Sequence, residues 1–102
     1  MKIAFICTGN ACRSQMAEGW AKFYAAGKHD IYSAGTHPVG VHPVAIAMMA
    51  ESGIDISWQA SKKISQIPVA ELDYFITLCD DAAANCAMPP AGVKHMHWST
   101  PD

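Results

Sequence analysis

A strand-like apolar run leads directly into a cysteine, and the only arginine of the chain follows six residues later. The run covers residues 3–6, the cysteine is Cys7 and the arginine is Arg13. Such a run predicts a strand buried on both faces, and apolar residues at helical spacing begin just after Arg13. A short loop between a strand and a helix turns backbone N–H groups towards one point at the positive end of the helix dipole. The segment is therefore expected to fold as a strand, an anion-binding loop and a helix.

The loop has the residue types that a tetrahedral oxyanion such as phosphate, arsenate or sulfate requires. Arg13 can hold two oxygens with its planar guanidinium. Gly9 and Asn10 can both adopt a positive φ, which lets successive N–H groups converge. A helix N-terminus and a neighbouring cation favour a thiolate, so Cys7 is predicted to be a nucleophile. Ser14 is expected either to donate a hydrogen bond to this thiolate or to cap the helix. The predicted anion-binding residues are Thr8, Gly9, Asn10, Ala11, Cys12, Arg13 and Ser14.

Helical patterns follow the loop. The first helix is predicted over residues 14–26, with Gly27 as its left-handed end. It is predicted to be amphipathic, because three- and four-residue intervals separate Met16, Ala17, Trp20, Ala21 and Tyr24. The second is predicted to open at Pro43 and to end at Gly53, with one side lined by Val44, Ala47, Met48 and Glu51. A short helix is predicted around Pro68, ending near Leu72, and an alanine-rich helix after Asp80 or Asp81.

Strands are predicted over residues 2–6, 31–34, 74–78 and 93–97. Strands that alternate with helices imply right-handed crossovers and a mainly parallel sheet, which binds ligands beyond the carboxyl ends of its strands. Cys7 and Cys79 each follow a strand, so both are expected at this edge. The predicted fold class is α/β, with three layers and a four-stranded, mainly parallel sheet flanked by helices. Residues 1–102 are expected to form one domain that is truncated before a final C-terminal helix.

The composition excludes several classes of function. A net charge of −2 and scattered lysines provide no basic surface for nucleic acid or for an anionic membrane. A signal-peptide core and a membrane-spanning run are both absent from the sequence, so a cytoplasmic location is expected. The four cysteines lack the paired CxxC spacing of a structural zinc site, so no metal is predicted.

Cys79 and Cys86 are the second pair of cysteines. In one interpretation they are two small apolar residues on one helical face. Seven residues of helix separate two Cα atoms by about 10 Å, whereas a disulfide tolerates only about 4.4 to 6.8 Å. Joining the two would unwind the helix, so oxidation could act as a conformational switch. A thiol at the sheet edge could attack a sulfur at Cys7, and an outer thiol could carry the oxidation to the surface, which makes a relay of three thiols.

These features resemble one family closely. Residues 7–20, Cys-Thr-Gly-Asn-Ala-Cys-Arg-Ser-Gln-Met-Ala-Glu-Gly-Trp, are similar to the signature of the thioredoxin-coupled arsenate reductases, which share the low-molecular-weight tyrosine phosphatase fold. The similarity continues through residues 32–35, 53–57, 77–79, 89–90 and 97–98 and through Cys86. It therefore covers nearly the whole chain.

The resemblance implies a role for each of five residues. Cys7 attacks arsenate, Arg13 binds the oxyanion, and Asp102 protonates the departing oxygen. Cys79 then attacks Cys7 and releases arsenite, and Cys86 attacks Cys79 to leave a disulfide that thioredoxin reduces. The implied function is reduction of arsenate to arsenite in arsenical resistance, with thioredoxin as electron donor and with phosphate or sulfate as substrate analogues.

The chain departs from the family pattern at a cation site. Ala60, Ser61 and Lys62 stand where potassium-binding members have Thr-Ser-Asp, although the rest of that site is matched by Asn10, Glu18 and Ser33. An ammonium there would repel potassium and could supply the positive charge itself, so potassium is expected to have little effect. The alternative is that Lys62 is a solvated surface lysine. Cys12 is a further departure, and it is expected to have no catalytic role.

Two other functions stay open at this stage. One is a phosphatase on the same scaffold, in which Cys7 forms a phosphocysteine that water hydrolyses. The other is a binding or redox-sensing module that captures an oxyanion without turnover. The pair Cys79 and Cys86 favours the reductase, because a phosphatase has no use for two further thiols.

Overall fold

The computed structural model describes residues 1–79 and 92–98. The alanine-rich helix predicted after Asp80, together with the predicted site residues Cys86 and Asp102, lies outside the described residues. Within them, the helices and strands follow the predicted alternation closely. They are β1 (Lys2–Cys7), α1 (Arg13–Ala25), β2 (Asp30–Gly35), α2 (Pro43–Glu51), two short 3-10 turns (Ile64–Gln66 and Val69–Glu71), β3 (Tyr74–Thr77) and β4 (Lys94–His97).

The described strands form one parallel sheet in the order β2-β1-β3-β4. This arrangement confirms the predicted α/β class and the four-stranded parallel sheet. Strand β1 lies in the interior of the sheet and pairs with β2 on one side and β3 on the other. A strand with a neighbour on both sides and a covered face on each needs apolar side chains in both directions, which is why its sequence shows no polar alternation.

Both faces of the sheet are covered over β2, β1 and β3, whereas β4 is largely exposed. On one face, Phe5, Ile31 and Ile76 pack beneath α1, which contributes Ala17 and Ala21. On the other face, the apolar cluster is closed by the segment that carries the 3-10 turns, and its members include Ala4, Ile6, Phe75, Ile67 and Leu72. The short helix predicted around Pro68 is therefore a 3-10 turn, and Pro68 stands just before it.

The apolar face predicted for α1 packs against the core except at Tyr24, but the most buried residues of the helix lie elsewhere. Its buried residues are Ser14, Gln15, Glu18 and Gly19, whereas Tyr24 is 75% exposed. The apolar residues instead divide between two neighbours: Ala17 and Ala21 contact the sheet, and Met16 and Trp20 pack towards α2. Hydrophobic periodicity does not mark these most buried positions, because Ser14 and Gln15 bond to the loop before the helix and Glu18 bonds to Ser33.

The predicted side of α2 is wrong. Ala45 and Met49 are buried, while Val44 and Met48 are 54% and 51% exposed. This helix is apolar around most of its circumference, so its sequence cannot indicate which side faces the core. Its start is as predicted, with Pro43 in the first turn, and the Nδ1 atom of His42 accepts a hydrogen bond from the Val44 N–H at 3.1 Å.

A glycine lets the two helices approach. A Cβ atom at Gly19 would lie 2.6 Å from Cγ2 of Ile56 and 2.9 Å from Cε of Met49. At the other end of α1, the left-handed stop begins one residue earlier than predicted, because Ala26 has a φ of 50° and Gly27 has a φ of 82°. In the part of the chain that the structure describes, neither helix has the length and apolar character needed to cross a membrane.

Candidate active site

The loop between β1 and α1 is bound along its outer side to the segment after β2. Backbone N–H groups of that segment donate to four loop carbonyls: Thr36 to Cys7 at 3.3 Å, His37 to Thr8 at 2.8 Å, Val39 to Gly9 at 3.0 Å and His42 to Ala11 at 2.8 Å. In a planar trans peptide, the C=O of one residue and the N–H of the next point in opposite directions. The N–H groups of residues 8, 9, 10 and 12 therefore face the inner side of the loop. Converging N–H groups at the start of a helix form a binding site for an anion.

Asn10 carries the left-handed backbone of the loop, with a φ of 44°. The expectation that Gly9 would share this conformation is wrong, since Gly9 is not among the residues with positive φ. A Cβ atom at Gly9 would lie 3.1 Å from Cγ2 of Val39, an exposed side chain that can move aside. At Gly35 a glycine is required for space, because a Cβ atom there would lie 2.6 Å from the carbonyl oxygen of Thr8.

The Cys7 thiol lies at the base of the loop, almost fully buried, and its Sγ atom is 2.8 Å from Oγ of Ser14. The Nδ2 atom of Asn10 donates a hydrogen bond to the same Ser14 oxygen at 2.8 Å. The hydroxyl proton of Ser14 is therefore available to the sulfur when Cys7 is ionised. The capping alternative for Ser14 is wrong, because the residue lies inside α1 and the N-cap position is held by Cys12.

Cys79 lies beside the loop, as its position after a neighbouring strand predicted. It is buried, with 6% of its surface exposed, and its Sγ atom is 3.4 Å from the hydroxyl oxygen of Thr8. Cys12 is placed differently, since its Sγ atom is 3.9 Å from Sδ of Met16 and it packs against the apolar cluster of α2. Arg13 is the first residue of α1 and directly follows the loop. Cys7, Cys12 and Cys79 are all free thiols.

A buried carboxylate lies behind the loop. Glu18 is 3% exposed and accepts a hydrogen bond from the Ser33 hydroxyl. The Nζ atom of Lys22 lies 2.5 Å from one carboxylate oxygen, and the Nζ atom of Lys62 lies 3.9 Å from the other. Glu18 is therefore compensated by two ammonium groups. The spacing of Glu18 and Lys22, four residues apart on one helix, could have indicated their pairing from sequence.

Lys62 lies between Glu18 and the loop. The Lys62 side chain is only 25% exposed and reaches the carboxylate, while its backbone N–H donates to Oδ1 of Asn10 at 2.7 Å. The same ammonium donates a hydrogen bond to the carbonyl oxygen of Ala60 at 2.8 Å. Residues 1–79 and 92–98 contain no cluster of three or more histidine, cysteine or acidic side chains suited to a metal ion.

Sequence reasoning missed two buried glutamines. Gln15 is completely buried and Gln59 is 7% exposed. The Nε2 atom of Gln15 donates to the side-chain oxygen of Asn10, and the Nε2 atom of Gln59 donates to the side-chain oxygen of Gln15. Neither residue type has a spacing that marks it as part of an anion site, so only the folded structure brings them together.

A parallel α/β sheet with a buried cysteine at the base of an anion-binding loop defines a class of thiol-dependent, oxyanion-handling proteins. A profile described as low molecular weight phosphotyrosine protein phosphatase matches residues 2–99. Because the match spans almost the whole sequence, the chain belongs to this family.

Individual relatives show which members of this family the chain resembles. An arsenate reductase of Bacillus licheniformis is 50% identical over 100 residues, which are 98% of this chain and 72% of the relative. A solved arsenate reductase in its phosphate binding state is 43% identical with a TM-score of 0.84, covering 99% of this chain and 77% of the other. A thioredoxin-dependent arsenate reductase of Corynebacterium glutamicum is 30% identical with a TM-score of 0.86, covering 96% of this chain and 48% of the other.

Proposed function

We propose that this protein reduces arsenate to arsenite through a relay of Cys7, Cys79 and Cys86 that thioredoxin regenerates. The observation that carries the proposal is the position of Cys79, a second buried thiol at the rim of the oxyanion loop, 3.4 Å from the hydroxyl of Thr8. Phosphate-ester hydrolysis needs one thiol in this place, whereas reduction of an oxyanion needs a second. The arsenate reductases at about half sequence identity support the same choice.

The reaction begins with substitution at arsenic. The inward N–H groups of the loop and the guanidinium of Arg13 hold the oxyanion. The Cys7 thiolate attacks arsenic, an S–As bond forms, an As–O bond breaks, and Asp102 protonates the departing oxygen so that it leaves as water. The hydroxyl of Ser14 stabilises the attacking sulfur, because its oxygen already accepts a hydrogen bond from Asn10.

Electron transfer follows at sulfur. The Cys79 thiolate attacks the Cys7 sulfur, an S–S bond forms, and the electron pair of the S–As bond passes to arsenic, which leaves as arsenite. Cys86 then attacks Cys79, which frees Cys7 and leaves a disulfide between Cys79 and Cys86. Two electrons from the dithiol of thioredoxin reduce this disulfide. The free thiols and the need for reduced thioredoxin support a cytoplasmic location.

Lys62 takes the role that a bound potassium ion has in other members of the family. Its ammonium, 3.9 Å from Glu18, supplies a positive charge behind Asn10 and Ser33. Turnover is therefore proposed to be independent of potassium. The interpretation of Lys62 as a purely solvated side chain is less well supported, because three quarters of the side chain is buried.

A phosphatase is the second candidate, because the family and the loop geometry suit a phosphate ester equally well. A replacement of Cys86 by serine separates the two functions. The Cys86→Ser variant should release one equivalent of arsenite and then stop, while hydrolysis of p-nitrophenyl phosphate stays at the wild-type rate. Arsenate-dependent oxidation of NADPH with thioredoxin and thioredoxin reductase measures turnover.

Two controls complete this experiment. Cys12→Ser should keep both activities, since Cys12 packs towards α2, and Cys7→Ser should lose both. Sustained NADPH oxidation by Cys86→Ser would refute the relay. Labelling of Cys7 without steady-state turnover of either substrate by the wild-type protein would favour the binding or redox-sensing module.

A further inference from the structure

We infer that Gln59 and Gln15 are positioning residues that set the shape of the oxyanion loop through a one-way chain of hydrogen bonds ending at Cys7. The inference rests on the part of the proposed function that concerns anion binding by the loop, and it is independent of Cys79 and Cys86.

Asn10 is the loop residue that the series of hydrogen bonds holds in place. It is fully buried and has a left-handed backbone, a conformation that costs energy for any residue with a side chain. Its side-chain oxygen accepts from the N–H of Lys62 at 2.7 Å and from Gln15 at 3.0 Å, and its side-chain nitrogen donates to Ser14 and Ser33. With all of these bonds made, Asn10 has one orientation, and the loop N–H groups converge.

The orientation of Gln15 is forced by its surroundings. Its Nε2 atom faces three oxygens: the carbonyl and side-chain oxygens of Asn10, at 3.1 and 3.0 Å, and the carbonyl of Ala60, at 3.0 Å. An NH₂ group can donate to these acceptors, whereas an amide oxygen could donate to none of them, so the oxygen of the same amide must point the other way. It points to Gln59, whose Nε2 atom donates to it at 2.7 Å and also donates to the Gln15 backbone carbonyl at 3.0 Å.

Each hydrogen bond in the series is therefore donated in the same direction, from Gln59 towards the sulfur of Cys7. Gln59 donates to Gln15, Gln15 to Asn10, Asn10 to Ser14, and Ser14 to an ionised Cys7. Among the described residues, Oε1 of Gln59 is a buried side-chain oxygen without a hydrogen-bond partner, so the series begins at Gln59. Buried hydrogen bonds aligned in this way polarise one another, so the far end influences the thiolate end.

A carboxyl group in place of the Gln59 amide tests this direction. In its ionised form, the introduced carboxylate would place negative oxygens against two oxygens of Gln15, whereas in its protonated form it could donate to Gln15 as the amide does. Burial and these oxygens would raise the pKa of the introduced carboxyl. The ionisable groups facing this region are Lys22 and Asp55, which line the same cleft as Gln59, and Glu18 with its partner Lys62.

The experiment compares Gln59→Glu with the matched variant Gln66→Glu. Gln66 is exposed and uses its side-chain oxygen only to accept from Lys63, a contact that a carboxylate keeps. The readouts are the inhibition constant of inorganic phosphate and the kcat/KM for p-nitrophenyl phosphate, between about pH 5.5 and 8.5. Neither readout requires Cys79, Cys86 or thioredoxin, so a failure of this inference is distinguishable from a failure of the reductase proposal.

We express the kcat/KM of Gln59→Glu as a ratio to that of the wild type. This ratio should lie about 10- to 100-fold below one at the alkaline end of the pH range and should approach one at the acid end, since hydrogen bonds to charged groups have effects of this size. The same ratio for Gln66→Glu should stay near one throughout. A merely structural role of Gln59 would not produce a loss that reverses with pH in folded protein. A flat ratio near one for folded Gln59→Glu would overturn the inference.

A second variant, Gln59→Met, tests the inference if Gln59→Glu does not fold. Gln59→Met keeps the length of the side chain but has no donor, so its phosphate inhibition constant should rise about tenfold at every pH, as one lost hydrogen bond implies. Wild-type phosphate inhibition by folded Gln59→Met would overturn the inference.

Discussion

At the carboxyl end of the sheet, Asn10, Ser14 and Ser33 are fully buried and bonded to one another, whereas at the amino end Lys2 pairs with Glu71 at the surface. The distances are similar, since Asn10 and Ser14 are 2.8 Å apart and the atoms of the ion pair are 3.0 Å apart. The surroundings differ. A buried polar group that loses its partner pays the full cost of desolvation, but an exposed ion pair is replaced by water and salt. Polar residues that look equivalent in sequence should thus differ strongly in effect between the two ends.

The largest effect is expected from Ser14→Ala, which removes a buried hydroxyl from both Cys7 and Asn10. The kcat for p-nitrophenyl phosphate and the rate of the first arsenite release should fall about 10- to 100-fold, since a hydrogen bond to a charged group contributes about 1.5 to 3 kcal/mol. Ser65→Ala, at an exposed serine in a 3-10 turn, should behave like the wild type. An unchanged first-turnover rate in Ser14→Ala would mean that the hydroxyl does not assist the sulfur.

An intermediate effect is expected from Lys62→Asp. The variant exchanges the ammonium beside Glu18 for a second carboxylate, so its activity in sodium should fall several-fold and recover in potassium. Lys63→Asp makes the same change of charge at an exposed neighbour and should show no difference between the two salts. Steady-state arsenate reduction at equal ionic strength measures the effect. Potassium activation of the wild type would contradict the proposed role of Lys62.

The smallest effect is expected at the amino end, from Glu71→Gln. The hydrogen bond and charge of Glu71 raise the pKa of Lys2. The ion pair therefore stabilises the fold at any pH below the ordinary pKa of lysine. This contribution is lost as the pH rises through the raised pKa of Lys2. Urea unfolding at pH 7 and about 0.15 M salt should show almost no difference from the wild type, because exposed pairs are screened. A clear loss of stability at neutral pH would show that the two ends of the sheet do not differ as described.

The sequence predicted the sheet and the first strand, loop and helix because both depend on local patterns. An apolar run before Cys7 and a helical repeat after Arg13 are sufficient to predict a strand, loop and helix. The parallel crossovers then bring Cys79 to the same edge as Cys7, and the structure confirms this placement.

The remainder of the site depends on contacts between distant segments. The buried polar face of α1 reverses the usual meaning of hydrophobicity, and Gln59 meets Gln15 across 44 residues of sequence. The left-handed residue is Asn10 rather than Gly9, and hydrogen bonds of the asparagine side chain hold this conformation. Such specific hydrogen bonds leave no periodic signal for sequence reasoning to use.

The ammonium of Lys62 beside Glu18 also has a consequence for the conditions under which the protein works. A counter-ion that is part of the polypeptide has a high and constant effective concentration at its carboxylate, whatever the composition of the surrounding solution. A cell that loses potassium during osmotic stress would empty a site that depends on a free ion. Under the proposed role of Lys62, this chain would keep its compensating charge in place through such changes.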